Sequence, residues 1–443
     1  MKKIKCAGIL GLGKSGIAAA NLAVKLGYKV FGSDSGKERE IKNLSKKAVK
    51  EFGGHSDKIL NSDVIIKSPG IHFDAEILKK AKKNKIPVIS ELEFSLDNSK
   101  YKKIIAITGT NGKTTTTDLI SKIIKAAYKD SIVAGNIGFP LSDKALKTTK
   151  NTIITMELSS YQLEDTPDFR PDISVLLNIT PDHLEHHKTM VKYAAAKSVI
   201  FKNQKKNDFA VINFDDKKCR DLSALTKAKK IFISRKPLKE GVFYDEGKIR
   251  IFLNKKKITV TPKIKIPGMH NVENILAAAA ASYCAGVKPE IIEKVISFYK
   301  GVEHRIEFVK EVNGVHYYND SKSTNVDSAR VALEAFTGNI LLIMGGLDKG
   351  APYTPLKKLV KEKVKKIFLI GEAAKKIKKD LQGAVFADCG NIETAVKQAF
   401  ACAEKGDIVL LSPACASFDQ FKNFEERGKV FKKMVNKNGR VKS

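Results

Sequence analysis

The run Thr108-Gly109-Thr110-Asn111-Gly112-Lys113-Thr114-Thr115 carries the residue types of a phosphate cradle. Backbone N–H groups at a helix start point at an anion, a lysine adds a mobile cation, and a hydroxyl can ligate Mg²⁺. Ile107 stands where the common P-loop pattern has a glycine, so this is a variant of that turn. A second anion-type turn, Gly11-Leu12-Gly13-Lys14-Ser15-Gly16, fits G-x-G-x-x-G and is followed by Asp34, where a ribose-binding acid sits in a dinucleotide fold. Glu157 ends an apolar run and is a candidate Mg²⁺ ligand. The stretch Asn178 to His187 holds three histidines and two acids but has no zinc spacing; His183 is its candidate, whereas His186 and His187 read as exposed polar residues. Asn319 to Asn325 is a dense polar turn and Ser412 to Asp419 a cluster of small and polar residues, each after an apolar run.

These groups need parallel strands to hold them. Ile104 to Ile107 reads as a buried strand, and Lys113 opens a helix running through Leu119, Ile120, Ile123 and Ile124. The N-terminal unit reads as strand Ile4 to Leu10, helix Ile17 to Leu26, strand Tyr28 to Phe31, strand Asp63 to Ile66 with the turn Ser68 to Ile71, and strand Pro87 to Ser90. Further strands are expected at Thr152 to Met156, Ile173 to Leu177, 231–234, 249–253, 257–260, Ile340 to Met344, Ile367 to Ile370 and Ile408 to Leu411, with two more around Gly314. Lys197, inside the helical run Val191 to Phe201, reads as a surface lysine. The Ala-rich helix over 275–285 predicts close helix packing. The fold class is α/β with three domains: an N-terminal Rossmann-like domain (1–97), a central P-loop-type mononucleotide-binding sheet (98–300) and a C-terminal Rossmann-like domain (301–443).

The 443 residues suit about three domains at ~150 residues each. Six scattered cysteines without a CxxC pair fit reduced thiols in a cytoplasm, and no apolar run spans a bilayer. The start Met-Lys-Lys-Ile-Lys has a signal-like charge, but Lys14 interrupts the apolar core and no small-residue cleavage site follows. The net charge of +32 is spread as Lys-Lys pairs without a nucleic-acid module, and reads as a solvated surface that favours anionic substrates.

Taken together and in order, Thr108 to Thr115, Glu157-Leu158-Ser159-Ser160, Asn178 to His183, Gly268 to Asn274, His304-Arg305, Asn319 to Asn325 and Ser412 to Gly428 resemble the Mur ligases, the ATP-dependent amino-acid ligases of peptidoglycan precursor synthesis. The resemblance covers essentially the whole chain. Glu157 to Glu164 and Ser412 to Gly428 look most like the branch that adds D-glutamate to UDP-N-acetylmuramoyl-L-alanine. That resemblance implies a UDP-sugar site at Lys14, Ser15, Asp34, Ser35, Gly70, Asn136, Ser159 and His183, with Gly36 where relatives can carry an arginine. It implies ATP on Gly109, Thr110, Asn111, Gly112, Lys113, Thr114, Thr115, Asn271, Arg305 and Asp320. Two Mg²⁺ ions would be held by Thr114, Glu157, His183 and Lys197, the last as a carbamate formed with CO₂. Lys113, Glu157, His183, Lys197 and Asn136 would be the catalytic set. D-glutamate would meet Lys322, Thr324, Lys349, Ser417 and Phe424.

The expected partners are the sugar nucleotide, D-glutamate and ATP, with no specific nucleic acid, no membrane insertion and a monomeric state. A folylpolyglutamate synthase shares the cradle and the lysine but would lack residues 1–95. A dehydrogenase rests on Gly11 to Gly16 alone, and a nucleic-acid-binding NTPase on charge alone.

Overall fold

The computed structural model describes residues 6–38, 41–72 and 74–438, with only the backbone of Leu184 and Glu185. Ile4 and Lys5 of the first expected strand lie outside the described residues. The chain divides into two units: one runs through Pro262 and includes Glu273–Ile296, the other comprises Lys263–Val272 and the chain from Ser297.

The first unit holds two sheets. One is a five-stranded parallel sheet of β1 (Cys6–Leu10), β2 (Lys29–Asp34), β3 (Ala48–Phe52), β4 (Val64–Lys67) and β5 (Val88–Ser90), in the order β3-β2-β1-β4-β5. Strand order reverses between β1 and β4, so the turns after both strands face the crevice where such sheets take ligands. Gly16 is dictated by packing there: a Cβ would lie 1.8 Å from the Gly11 carbonyl oxygen.

The second sheet has nine strands: β6 (Lys103–Thr108), β7 (Ser131–Gly135), β8 (Ile153–Glu157), β9 (Ile173–Leu176), β10 (Phe209–Asn213), β11 (Lys229–Ser234), β12 (Gly241–Asp245), β13 (Lys248–Leu253) and β14 (Lys256–Val260). Their order is β14-β13-β12-β11-β10-β9-β6-β8-β7. β6 lies between β8 and β9 in parallel register, with Ile107 beside Glu157 and Thr108 beside Leu176. The three strand ends therefore share one edge. The helix Lys113–Ala127 buries Leu119, Ile120, Ile123 and Ile124 completely, each burial contributing at most about 1.5–3 kcal/mol. Ala277 to Ala281 are fully buried, as the alanine stripe predicts.

The second unit holds a six-stranded sheet of β15 (Glu307–Val312), β16 (Val315–Asn319), β17 (Ile340–Gly345), β18 (Val364–Ile370), β19 (Phe386–Gly390) and β20 (Ile408–Leu411). The order is β15-β16-β20-β17-β18-β19, antiparallel only between β15 and β16. β20 thus enters between β16 and β17, bringing Asp320, Gly346 and Ser412 to one edge. Among the described residues, no helix is long and apolar enough to cross a membrane.

Candidate active site

The candidate phosphate loop, Thr108 to Thr115, is held in place by contacts of its own. Gly112 caps the helix Lys113–Ala127 at φ 83, and a Cβ there would lie 2.1 Å from Asn274 Oδ1, so both conformation and space require glycine. Asn178, just past β9, clamps Asn111: its Oδ1 accepts from Asn111 N at 2.8 Å and its Nδ2 donates to Asn111 O at 3.1 Å. Thr110 N donates to the Asn178 carbonyl at 2.9 Å, while Thr110 Oγ1 accepts from Thr180 N at 3.0 Å and meets Tyr193 Oη at 3.1 Å. Burial pushes the Tyr193 phenol up to about 12. Lys113 folds back over the loop, its Nζ 2.8 Å from the carbonyls of both Gly109 and Thr110. Thr114 is half-buried and Thr115 buried in the first helical turn.

Lys197 corrects its reading as a surface residue. It is 2% exposed, donates to the Gly109 carbonyl at 2.9 Å, and sits 4.7 Å from the centre of the Tyr193 ring. The helix Met190–Ser198 turns this lysine inward beneath the phosphate loop. Burial first, then the Lys113 cation, hold its amine well below the usual lysine range, against the pull of Asp182, Cys219 and Glu157.

Glu157 is 1% exposed at the end of β8. Asn136 Nδ2 donates to its Oε1 at 2.7 Å, whereas its Oε2 is buried with no hydrogen-bond partner. An unsatisfied buried carboxylate oxygen is costly unless a cation takes it, and oxygen donors of this kind suit Mg²⁺. CO₂ adds to the uncharged amine of a lysine, the form that the burial of Lys197 favours, so its surroundings fit carbamate formation. Thr114, Glu157 and, if carbamylated, Lys197 would offer the oxygen donors a hard divalent cation requires. His183 sits half-exposed at φ 53, its ring 5.2 Å from that of Tyr161.

His187 corrects the second surface reading. Its side chain is fully buried, with Nε2 2.8 Å from Ser160 Oγ and Nδ1 3.0 Å from Glu164 Oε1. His186 is half-buried and bonds Glu164 Oε2 at 2.9 Å. Glu164 comes from the short helix Ser160–Glu164, whose start Ser159 closes a capping box with Gln162.

In the five-stranded sheet, Asp34 is turned toward its own loop. Its Oδ2 accepts from Leu12 N at 2.7 Å and its Oδ1 from Gly36 N at 2.8 Å, fixing the glycine-rich turn. Lys14 Nζ donates to the Gly138 carbonyl at 2.9 Å, tying that turn to the segment carrying Asn136. Ser15 is half-buried; Ser35 and Gly70 are exposed, and nothing lies within 4 Å of a Cβ at Gly70.

The second unit gathers its polar clusters around Asp320 and Arg427. Burial pushes the Asp320 carboxyl up to about 7, opposed by the Ser412 hydroxyl, which donates to Oδ2 at 2.9 Å, and by Arg305. Asn271 Nδ2 donates to the Pro267 carbonyl at 2.6 Å. Beside it, His270 is pushed down to about 4 by burial and by the Arg305 charge.

Arg427 is fully buried and was given no role from the sequence. Its guanidinium donates to Ser321 Oγ (3.0 Å), Ser321 O (2.9 Å), Cys415 O (3.1 Å) and Ala416 O (3.2 Å), binding the two polar clusters into one wall. Ser417 is buried beside it; Lys322, Thr324 and Phe424 are half-buried and Lys349 is exposed. The Tyr353 hydroxyl donates to Asp348 Oδ1 at 3.0 Å and lies 2.9 Å from Cys415 Sγ, so the loop of Lys349 is tied to the loop of Ser417. Asn178, Asn274 and Arg427 lie within the quoted motifs but carried no role there, and Tyr193 and Tyr353 lie outside every motif.

Three family models match the chain: the Mur ligase MurD-like N-terminal domain over residues 5–90, the Mur ligase middle domain over 107–282 and the Mur ligase glutamate ligase domain over 304–415. The UDP-N-acetylmuramoylalanine–D-glutamate ligase of Elusimicrobium minutum is 47% identical across 98% of both chains. That of Koribacter versatilis is 44% identical across 97% of this chain and 96% of its own. The fold is shared with the MurF ligase of Thermotoga maritima solved with ADP (TM-score 0.61, 19% identity, 99% and 97% of the two chains). It is shared too with the UDP-N-acetylmuramate-alanine ligase of the same organism (TM-score 0.60, 18% identity, 98% and 99%). With full-length relatives far above 30% identity and all three domain types present in order, the chain belongs to the Mur ligase family.

Proposed function

We propose that the chain joins D-glutamate to the alanyl carboxylate of UDP-N-acetylmuramoyl-L-alanine, converting ATP to ADP and phosphate. The observation that carries this reading is the buried, unpartnered Oε2 of Glu157 at the strand edge shared with the phosphate loop. The relatives' shared name supports the choice of substrates.

The phosphate loop and Lys113 hold the triphosphate, and Gly11 to Ser15 with Asp34, Ser35 and Gly70 hold the uridine diphosphate end of the sugar nucleotide. A carboxylate oxygen of the sugar nucleotide attacks the γ-phosphorus, the bond to the β-phosphate oxygen breaks, and ADP leaves. The amine nitrogen of D-glutamate then attacks the acyl carbon. The tetrahedral adduct expels phosphate, and a proton leaves the nitrogen as the amide forms. Two anions must meet in the first step, so these residues act mainly by neutralising and aligning charge.

Mg²⁺, held by Thr114, Glu157, His183 and a carbamate on Lys197, supplies that neutralisation when bound. Asn136 orients Glu157 and faces the transferring group. In the C-terminal unit, Asn271, Arg305 and Asp320 serve the nucleotide, and Lys322, Thr324, Lys349, Ser417 and Phe424 take D-glutamate, two cations suiting a dicarboxylate. The reaction draws on cytoplasmic ATP and sugar nucleotide, and we assign the chain to that compartment as a monomer.

The test is phosphate release from ATP with UDP-N-acetylmuramoyl-L-alanine and D-glutamate, L-glutamate, L-lysine or no amino acid. Release that needs both the sugar nucleotide and D-glutamate supports the reading. Release with another amino acid overturns the acceptor, and release without the sugar nucleotide overturns the ligase.

A further inference from the structure

We infer that Glu164, His186 and His187 form a second cation site, selective for a borderline divalent ion of the Zn²⁺ type and separate from the Mg²⁺ donors. Among the described residues, this is the group of histidine, cysteine and acidic side chains whose donor atoms all lie within 4.8 Å of one another. The spacings are close to those of a coordination shell: His187 Nδ1 is 3.0 Å from Glu164 Oε1, and His186 Nε2 is 2.9 Å from Glu164 Oε2. The edge of a tetrahedron with ~2.0 Å bonds is about 3.3 Å, so small rotations admit the ion.

The decisive atom is His187 Nδ1. It is buried and faces a carboxylate oxygen 3.0 Å away without the alignment of a good hydrogen bond. On the far side of the ring, Nε2 is engaged with Ser160 Oγ at 2.8 Å. In the tautomer whose Nε2–H donates to Ser160 Oγ, Nδ1 turns a lone pair toward that oxygen. Two electron-rich atoms at this distance repel unless a cation joins them, and a hydrogen-bonded distal nitrogen is the usual support of a ligating imidazole. Two imidazoles and one carboxylate favour Zn²⁺, Co²⁺ or Ni²⁺ over Mg²⁺, which takes oxygen donors. Glu164 reaches solvent, leaving the fourth position to water.

A bound ion would fasten the helix Ser160–Glu164 to the helix Leu184–His187, whose first turn closes on the His183 carbonyl through the backbone N–H groups of His186 and His187. The backbone behind His183 would then be held more firmly. That consequence rests on the proposed function, whereas the binding itself does not.

The test is Co²⁺ titration of the chelator-stripped full chain in excess Mg²⁺, read by visible d–d absorption and followed by displacement with Zn²⁺. One equivalent of an intense nitrogen-ligated band is expected. It should persist in Glu157→Gln and lose at least about tenfold in affinity in Glu164→Gln. It should vanish in His186→Ala, a half-buried position whose fold circular dichroism checks. No band, a band that survives His186→Ala, or one lost in Glu157→Gln overturns the site; none of these depends on ligase activity.

Discussion

Lys113 and Lys197 donate to the same acceptor, the carbonyl oxygen of Gly109, at 2.8 and 2.9 Å. One lysine is half-exposed above the phosphate loop and the other is buried beneath it. The upper cation, after burial, helps hold the lower amine below the usual lysine range, so a single turn sets two lysines of different character on one carbonyl.

Replacing the buried member should separate chemistry from stability. Lys197→Met is expected to lower kcat by at least about 100-fold. Its unfolding free energy should stay within about 1 kcal/mol, because the lost Gly109 contact is offset by an easily buried side chain. Bicarbonate should restore activity to CO₂-stripped wild-type chain and not to the variant. Equal responses of both to bicarbonate would defeat the carbamate assignment.

Glu157→Gln keeps an oxygen for Asn136 but removes the charge from the unpartnered side. We expect kcat to fall about 10²–10³-fold and the Mg²⁺ concentration for half-maximal rate to rise, with thermal stability unchanged or higher. An unchanged Mg²⁺ requirement would remove Glu157 from the metal set.

Asp320 sets a pH dependence with a definite sign. Its carboxyl titrates near 3.8 in the unfolded chain and is raised to about 7 in the fold. The folded state holds more protons in that window, so stability of the C-terminal unit should fall as pH rises from about 4 to about 7. Asp320→Asn should flatten this slope in denaturant melts followed across that range; a slope equal to wild type would contradict the assignment.

Tyr353→Phe removes the hydroxyl between Asp348 and Cys415 while preserving the ring. KM for D-glutamate should rise several-fold, equivalent to about 1 kcal/mol, with kcat and KM for ATP little changed. A kcat loss without a KM change would show that the two loops are not positioned through this hydroxyl.

Arg427→Met leaves the carbonyls of Ser321 and Cys415 without their donor, whereas the Ala416 carbonyl keeps the backbone N–H of Leu347. Each buried carbonyl left unpaired costs about 1–3 kcal/mol, so the C-terminal unit should lose at least about 2 kcal/mol, seen as a lower urea midpoint. Arg427→Lys should recover only part, since one ammonium cannot reach all the acceptors of a fork.

The strand, turn and helix around Gly112 were legible because strand, glycine turn and helix cap are local signals, each written within Ile104 to Ile124. The strands around Gly314 and the run Ile408–Leu411 were legible for the same reason. β3 and β19 were not, since these strands are largely half-exposed or exposed and lack an apolar run. Lys197 and Arg427 were hidden because their types belong on surfaces, and only contacts with the distant carbonyls of Gly109 and Ser321 explain their burial. His187 was hidden likewise, its partners Ser160 and Glu164 lying on another helix.

β20 occupies the middle of its sheet although it is the last described strand in the chain. During synthesis, β16 and β17 must wait with their facing edges unpaired until Ile408–Leu411 clears the ribosome. Nascent chains stalled before that segment should expose the strand edges to chaperones, whereas the nine-stranded sheet of the first unit has all its strands by Val260.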